Sequence, residues 1–455
     1  MRSAVPRASG ATLAGLLGLL TVYALWSTPD LVARWGASPA GLLLAISWAA
    51  TALVAARSAS RPRGLVLVAL LVVAWRVASA LLVDGRASPG DSQLYLDLAR
   101  NLLAGHGLVV HEPYVGIDVR GFYPPLYPLL LAGWGAVAGF STASLLVLST
   151  AIDAAAGWLI GRLGAWLGHE RSGRSAAALY LLWPSVVLSA PLAQKEGLGT
   201  LLILALALGW LGAAQARRGA WLVVGSTAAA LALTQPGQAP LALLFGLAVL
   251  PWLGWRRLFA TGLPAAALAA LAMTPWWLRN WLVFGRFVPL TTVSGLSLWV
   301  GSSKGATGGW MPYPRAPAGT GEIAYAQAMG GIATRWIEAH PGETLRLWAA
   351  KFVRAVALGQ GGIARLAAMR PPPADTGLLL PLAHGAQLLL LAGAAVAAPL
   401  TRTAGQRQLL LLTLAGLAQL LLFALPFEFA ERHREFLLPF LLLLVLTASG
   451  RPRSR

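Results

Sequence analysis

The sequence predicts an all-α polytopic membrane protein, and three observations support this fold class. The chain of 455 residues is 57% hydrophobic and only 11% charged, with a mean hydropathy of +0.67. Its apolar runs repeat at lengths of roughly 17 to 25 residues, the length that the hydrocarbon core of a bilayer requires of a helix. The basic residues lie mainly in short segments between these runs, as in cytoplasmic loops. The net charge of +19 therefore does not indicate nucleic-acid binding, because no Lys/Arg tract is dense enough to follow a phosphate backbone.

The apolar runs predict about 12 transmembrane spans. They cover residues 11–27, 38–56, 64–83, 142–166, 175–191, 197–214, 220–234, 238–254, 258–278, 377–399, 408–426 and 436–449. This threading places both termini in the cytoplasm and leaves one acid, Glu170, on the inner side and one, Asp153, within a span. The other 14 of the 16 acids then lie outside, which agrees with the distribution of basic residues.

Three regions follow from this topology. Residues 1–278 form an N-terminal transmembrane module with a long outer loop (84–141), residues 279–376 form an outer-face segment, and residues 377–455 supply the C-terminal transmembrane helices. The apolar stretch 124–140 is short and rich in proline and glycine, and the next loop is basic. We therefore expect an interfacial or re-entrant helix there and not a span.

The outer-face segment is predicted to be small and mainly helical. One helix is expected on each side of Pro341, and the second of the two has the pattern of a helix that lies on the membrane surface. Its apolar face comprises Leu345, Trp348, Phe352 and Val356, while Arg346, Lys351 and Arg354 lie off that face.

The outer loop concentrates polar and ionisable residues between residues 88 and 128, and such a concentration marks either a soluble loop or a working site. Asp91 opens a helical pattern that stops at Gly105, with Tyr95 on the same face one turn later. One interpretation is that Asp91 only caps the helix. The other is that its carboxylate is a general base that takes a proton from a hydroxyl.

Cationic side chains near this loop are candidates for binding a phosphate. Arg120 and Tyr123 return to the same surface, and Lys195 with Glu196 begins the span that follows the next outer turn. Arginine forms paired, charge-assisted bonds to phosphate. Structural alternatives remain open, because Arg120 could be a surface charge and the Lys195–Glu196 turn could only anchor helix ends.

Further candidates lie elsewhere. Arg279 stands among tryptophans at the outer boundary, as an interface anchor or a phosphate ligand, and Arg432 and Arg434 lie at the mouth of the last two spans. Arg76 and Asp153 lie within predicted spans. We expect the Arg76 guanidinium to extend to the membrane surface, whereas Asp153 needs a partner.

The sequence assigns no cofactor. The chain has no cysteine, so thiolate metal sites and cysteine nucleophiles are excluded. His106, His111 and Glu112 leave a divalent metal open, but their spacing matches no ligand pattern.

Four segments carry a resemblance to a known family, namely GDSQLYLDLARNLLAGHGL with FYPPLYPLLLAGWG, PWWLRNWLVFGRFVPLTTVSGLSLWVGS, EAHPGETLRLWAAKF and ERHREFLLPFLLLL. In this order they resemble bacterial GT-C glycosyltransferases of the family 39 and protein-mannosyltransferase type (ArnT-like). The resemblance implies a GT-C-like helix bundle in the bacterial cytoplasmic membrane with its active site on the outer face. It also implies transfer of a sugar from a polyprenyl-phosphate donor to a sugar, lipid or protein acceptor, with Asp91 as the catalytic base.

The sequence departs from this family at three places. Tyr123 stands where the family often has a basic residue before the double proline, Gln235-Pro236-Gly237 replaces an Arg-Pro-Glu-like turn, and Lys195 precedes the acid Glu196. A transporter or flippase of lipid-linked sugars and a non-catalytic scaffold are the alternatives. The former would favour broken helices at mid-membrane and an internal repeat, neither of which is evident in the sequence.

Overall fold

A computed structural model describes residues 5–61, 63–86, 90–307, 309–372 and 376–448. The chain ends lie outside the described residues, so the cytoplasmic location of both termini stays a prediction. The α-helices of the described chain are α1 (Val5–Trp26), α2 (Thr28–Trp35), α3 (Pro39–Ser58), α4 (Gly64–Val83), α5 (Asp91–Leu103), α6 (Leu126–Ala138), α7 (Thr142–Trp166), α8 (Glu170–Leu181), α9 (Pro184–Ser189), α10 (Glu196–Ala214), α11 (Ala220–Thr234), α12 (Leu241–Ala248), α13 (Leu250–Leu253), α14 (Trp255–Phe284), α15 (Ser294–Ser302), α16 (Glu322–Ala339), α17 (Pro341–Ala357), α18 (Gly361–Ala367), α19 (Leu380–Ala397), α20 (Ala404–Gln419) and α21 (Leu438–Ala448).

The predicted all-α membrane fold class is confirmed. Eight helices of the described chain are long and apolar enough to cross a membrane. They are α1, α3, α4, α7, α10, α14, α19 with its 3₁₀ extension to Leu400, and α20 with its π-helical extension to Ala424. Many large apolar side chains on them face outward, for example Leu19, Leu81 and Leu282. A bilayer would cover such side chains.

The other four predicted spans coincide with shorter or interrupted helices. Residues 220–234 form α11 of 15 residues, and α21 at the C-terminus has 11. The predicted span 175–191 is divided into α8 and α9, because Pro184 holds Trp183 in an extended conformation with φ −63° and ψ 136°. The total of about 12 spans therefore stays a prediction.

The first outer loop contains a helix, a hairpin and a second helix. After α5, strands β1 (Val110–Glu112) and β2 (Ile117–Val119) pair antiparallel with His111 opposite Asp118. The sequence did not predict this hairpin. The following α6 has 13 residues, a length of roughly 20 Å, which is too short for a hydrocarbon core of roughly 30 Å. This length agrees with the expected surface or re-entrant helix.

Two helices of the outer-face segment, α16 and α17, meet at Pro341, as predicted. The predicted boundary after residue 278 falls inside α14, which continues to Phe284. The expected position of Lys351 off the packed face is wrong, since this residue is only 1% exposed. Its ammonium group donates hydrogen bonds of 2.8 Å to the carbonyl oxygens of Gly301 and Phe427. Lys351 thus fixes the chain just before the C-terminal cluster of charged residues.

The apolar side chains form two main cores. The larger one joins the membrane helices, whereas the second joins α5, the hairpin, α6, α15 and α16 through residues such as Tyr95, Val119, Leu131, Leu296 and Tyr325. The outer loop is therefore packed against the outer-face segment, and its ionisable residues are held in place by apolar contacts.

An ion pair within the membrane helices corrects one expectation. Arg76 does not extend to the surface; its side chain is 1% exposed, and its Nη2 donates to Asp153 Oδ2 at 2.8 Å. Nη1 donates to Thr150, and the Tyr180 hydroxyl donates to the second Asp153 oxygen at 3.3 Å. Asp153 thereby obtains the partner that a carboxylate in hydrocarbon requires.

Candidate active site

The first turn of α5 fixes the position of Asp91. Gly90 precedes the helix with φ 55° and ψ −133°, a conformation that favours glycine. The N-cap residue is Gly90, so the interpretation that Asp91 only caps the helix is wrong. Asp91 is the first helical residue, and its carboxylate benefits from the partial positive charge at the helix N-terminus.

Arg432 links Asp91 to two further carboxylates. Its Nη1 donates to Asp91 Oδ2 at 2.6 Å, and its Nη2 lies 3.3 Å from Glu428 Oε1. Its Nε lies 4.0 Å from Glu196 Oε1. Each guanidinium nitrogen therefore faces a different acid. We call Asp91, Lys195, Glu196, Glu428 and Arg432 the charged cluster.

Lys195 is held beside Asp91 by the backbone that precedes it. The hydroxyl of Ser92, the second residue of α5, accepts a hydrogen bond of 2.9 Å from the Ala193 amide. This bond ties α5 to the turn that ends at Lys195, the N-cap of α10. The ammonium group lies 5.6 Å from the centre of the Tyr95 ring, close enough for a cation–π interaction. Within the described chain it has no hydrogen-bond or ion-pair partner, so it is available to an anion.

Electrostatics keep Asp91 ionised. Burial favours the neutral acid, but the positive charges of Arg432 and Lys195 and the hydrogen bond from Arg432 outweigh burial and hold the pKa of Asp91 below its ordinary value. In the same cluster, burial lowers the pKa of Lys195, with the charges of Asp91 and Glu196 opposing it. Asp91 is therefore present as the carboxylate that a general base must be.

Three tyrosines form a wall next to Asp91. The rings of Tyr123 and Tyr127 pack edge-on against Tyr95, with centroids 5.4 and 5.1 Å away. The hydroxyl of Tyr123 donates to Glu112 Oε2 at 3.1 Å, and burial raises its pKa well above the ordinary value. These phenols stay neutral and can donate hydrogen bonds beside the charged cluster.

Three predicted site residues lie outside this cluster. Arg120 is exposed, and only its backbone amide is held, by Glu322 at 2.6 Å. Arg279 donates to Asn280 Oδ1 and Leu108 O and lies over the Trp276 ring. Arg434 donates to the carbonyl oxygens of Ala355 and Leu358. Of the predicted residues, the structure thus brings together Asp91, Tyr95, Tyr123, Lys195, Glu196 and Arg432.

Glu428 was missed by sequence reasoning. It lies four residues before Arg432 and faces the same guanidinium, and its amide donates to Ser297 O at 2.9 Å. An acid four residues before an arginine was a visible signal, although such pairs are more often exposed helix contacts. Tyr313 was also missed; burial, with the charges of Glu428 and Asp91 adding to it, raises its pKa.

Within the described residues no group of three His, Cys, Asp or Glu side chains is placed to hold a metal ion. His111 pairs with Asp118 at 3.0 Å, and Glu112 accepts from Tyr123 and from the Tyr114 amide. The carboxylates of the charged cluster converge on the Arg432 guanidinium.

A labelling experiment tests on which side of the membrane the cluster lies. Since the natural chain has no cysteine, the variant Lys195→Cys carries one thiol beside Asp91. We expect a membrane-impermeant maleimide added to intact cells to label it. Arg218→Cys, at an exposed position in a predicted inner loop, should be labelled only after permeabilisation. The reverse pattern would place Asp91 and Lys195 on the cytoplasmic side.

No model of a known protein family matches the chain, and no curated protein matches it. Among solved structures, the fold is similar to that of an archaeal oligosaccharyltransferase, AglB from Archaeoglobus fulgidus, in complex with an inhibitory peptide and a dolichol-phosphate. The TM-score is 0.46 and the identity 14%, over 83% of this chain and 50% of that chain. This chain thus spans about half the length of the archaeal structure. Similarity at this level transfers no activity or substrate to the chain.

Proposed function

We propose that this chain is a GT-C-type glycosyltransferase of a bacterial cytoplasmic membrane. It transfers a sugar from a polyprenyl-phosphate donor to a hydroxyl of a sugar, lipid or protein acceptor at the outer face. One observation carries the proposal: the partly buried Asp91 carboxylate, held ionised, lies 2.6 Å from the Arg432 guanidinium and within the electrostatic influence of the unpaired Lys195 ammonium group. A carboxylate base next to two cations suits a reaction in which a hydroxyl attacks and a phosphate leaves.

Each residue of the charged cluster has a separate role in the reaction. The acceptor oxygen forms a bond to the anomeric carbon while the bond from that carbon to the phosphate oxygen breaks. The acceptor proton goes to Asp91, and the bonding electron pair leaves with the phosphate, whose charge Lys195 and Arg432 stabilise. The sugar gains oxocarbenium-like positive charge in the transition state. The additional carboxylates Glu196 and Glu428 stabilise this positive charge.

The location of the cluster fits a lipid donor. Lys195 and Glu196 begin a membrane-spanning helix, so the phosphate of a polyprenyl lipid in the bilayer can reach them while its chain stays among the apolar helix faces. The transporter alternative has less support. The two ionisable residues within the predicted spans, Arg76 and Asp153, form an ion pair, so neither offers a free charge to a translocation pathway.

The test uses the purified protein and its own lipid. We expect mass spectrometry of the co-extracted lipids to identify a polyprenyl phosphate or its glycosyl derivative. Vesicles that contain the protein should then convert the glycosylated lipid to the free polyprenyl phosphate only when an acceptor is added. Movement of intact glycolipid between leaflets without loss of its sugar would favour the transporter and contradict the proposal.

A further inference from the structure

A cleft lies next to the charged cluster. Its lining differs in chemical character from Lys195 and Arg432, the residues proposed to bind the phosphate. It lies between α7, α9 and the start of α10 and encloses about 580 Å³ not filled by protein atoms, including its open side. Its polar lining comes from carboxylates, hydroxyls and an amide, namely Asp153, Glu196, Glu435, Ser149, Ser189, Thr200, Tyr127, Tyr180 and Gln194.

Glu196 connects the cleft to the charged cluster. Its side chain is 5% exposed, and neither carboxylate oxygen accepts a hydrogen bond from the described residues. Arg432 Nε, the nearest cation, is 4.0 Å away, too far for a hydrogen bond. Buried carboxylate oxygens without donors are costly, so these two oxygens need donors from a ligand.

Glu435 lines the cleft with Glu196. Arg365 lies 3.6 Å from it. Burial, opposed by that arginine, raises the pKa of Glu435 to about 7. It can therefore donate as well as accept near neutral pH. Asp153, which also lines the cleft, is already paired with Arg76. The cleft thus offers mainly acceptors and has no free cation among its described lining residues, so it suits a ligand rich in hydroxyl groups and not a phosphate.

We propose that this cleft binds the glycosyl ring of the donor, with hydroxyls of the sugar donating to the two free oxygens of Glu196. The inference rests on the proposed function and deepens it. The phosphate then lies on Lys195 and Arg432, and the sugar lies on the acidic side, where positive charge develops in the transition state. Glu196 binds the substrate, and its carboxylate is the determinant that distinguishes the glycosylated lipid from the bare carrier.

The experiment compares the binding of a bare carrier lipid with that of its glycosylated derivatives, without an acceptor. Affinities are measured for undecaprenyl phosphate and for its glucosyl, mannosyl and ribosyl derivatives. We expect the wild type to bind at least one glycosylated form about tenfold or more tightly than undecaprenyl phosphate, as charge-assisted hydrogen bonds would provide. In Glu196→Gln this ratio should fall towards one, with little change for undecaprenyl phosphate.

Glu428→Gln is the matched control, because it removes a carboxylate from Arg432 at 3.3 Å but does not line the cleft. This variant should change the affinities for undecaprenyl phosphate and for its glycosylated derivatives by the same factor, so the ratio between them should stay as in the wild type. Glu435→Gln, which also changes a carboxyl group that lines the cleft, should lower the ratio as Glu196→Gln does, and it tests the sugar site if Glu196→Gln fails to fold.

The outcomes separate the two proposals. Equal wild-type affinity for bare and glycosylated lipids would overturn the sugar site while leaving the phosphate site. An unchanged ratio in Glu196→Gln would also overturn it. A wild-type protein that binds none of these lipids would contradict the proposed function itself.

Discussion

The variant Asp91→Asn is expected to lose sugar transfer by a factor of about 10²–10⁴, the usual contribution of a general base. Asparagine has the same shape but cannot take the proton of the acceptor hydroxyl. The amide can still accept a hydrogen bond from Arg432, so the lipid-binding side is retained. The measurement is release of polyprenyl phosphate from the glycosylated lipid at saturating acceptor.

Asp97→Asn is the matched control on the same helix. The Asp97 carboxylate is 37% exposed and already accepts hydrogen bonds from Gln93 and Arg100, at 2.8 and 2.9 Å. Its loss should leave transfer within a factor of about two, because exposed pairs of this kind contribute little. Turnover by Asp91→Asn at the wild-type rate, in protein with normal helix content, would remove Asp91 from the mechanism.

The pH dependence follows from the neighbours of Asp91. In the free protein its pKa is held below the ordinary value, so kcat/KM should persist at a pH below the usual aspartate range. A bound phosphate occupies Arg432 and Lys195 and weakens their effect on Asp91. The acid limb of kcat should then lie at higher pH than the acid limb of kcat/KM. Coinciding limbs would mean that the phosphate does not engage these cations.

Much of the fold could be predicted from the sequence, because burial in a bilayer imposes a length and an apolar composition on each helix. The break at Pro184 was less visible, since the surrounding residues are as apolar as a continuous span. The hairpin of Val110–Glu112 with Ile117–Val119 was missed because strands of three residues carry almost no periodic signal.

Most members of the candidate site could be predicted from the sequence, Glu428 excepted, but their pairings could not. Asp91 stood out in the polar stretch of the outer loop, and Lys195 and Arg432 stood out at the ends of predicted spans, but Asp91 and Arg432 are 341 positions apart. No local pattern indicates that they meet. The same limit applies to Arg76 with Asp153, and to Lys351, whose burial depends on two carbonyl oxygens from distant segments. Tertiary packing alone decides which charge is exposed and which is paired.

The largest effect on stability is expected from Arg432→Gln. The substitution leaves Asp91, Glu428 and Glu196 without the guanidinium that all three face. Removing one partner of a fully buried ion pair typically costs about 3–5 kcal/mol, and a smaller loss is expected here because the Arg432 and Asp91 side chains are 21% and 28% exposed. Transfer should also fall, because the phosphate loses one of its two cations. Thermal unfolding and the transfer assay measure the two effects.

The pH dependence of unfolding distinguishes this cause from a simple packing defect. In the wild type the pKa of Asp91 is depressed on folding, so its contribution to stability is present above the unfolded pKa and is lost as pH falls. Without Arg432, burial dominates and raises the folded pKa of Asp91 above its unfolded value. The variant should therefore gain stability as the pH falls through that raised pKa towards the unfolded pKa, whereas the wild type loses the Asp91 contribution as the pH falls below the unfolded pKa.

A double variant separates the effect of the Arg432 charge from that of its volume. Arg432→Gln with Glu428→Gln removes one of the carboxylates left unpaired, so it should recover part of the lost unfolding free energy but not the transfer activity. Arg120→Gln, whose side chain is exposed away from the cluster, should change neither quantity. Equal stability of the single and double variants at every pH would show that Arg432 acts through its volume. In that case the positive charge of Arg432 would not be the cause of the ionised state of Asp91.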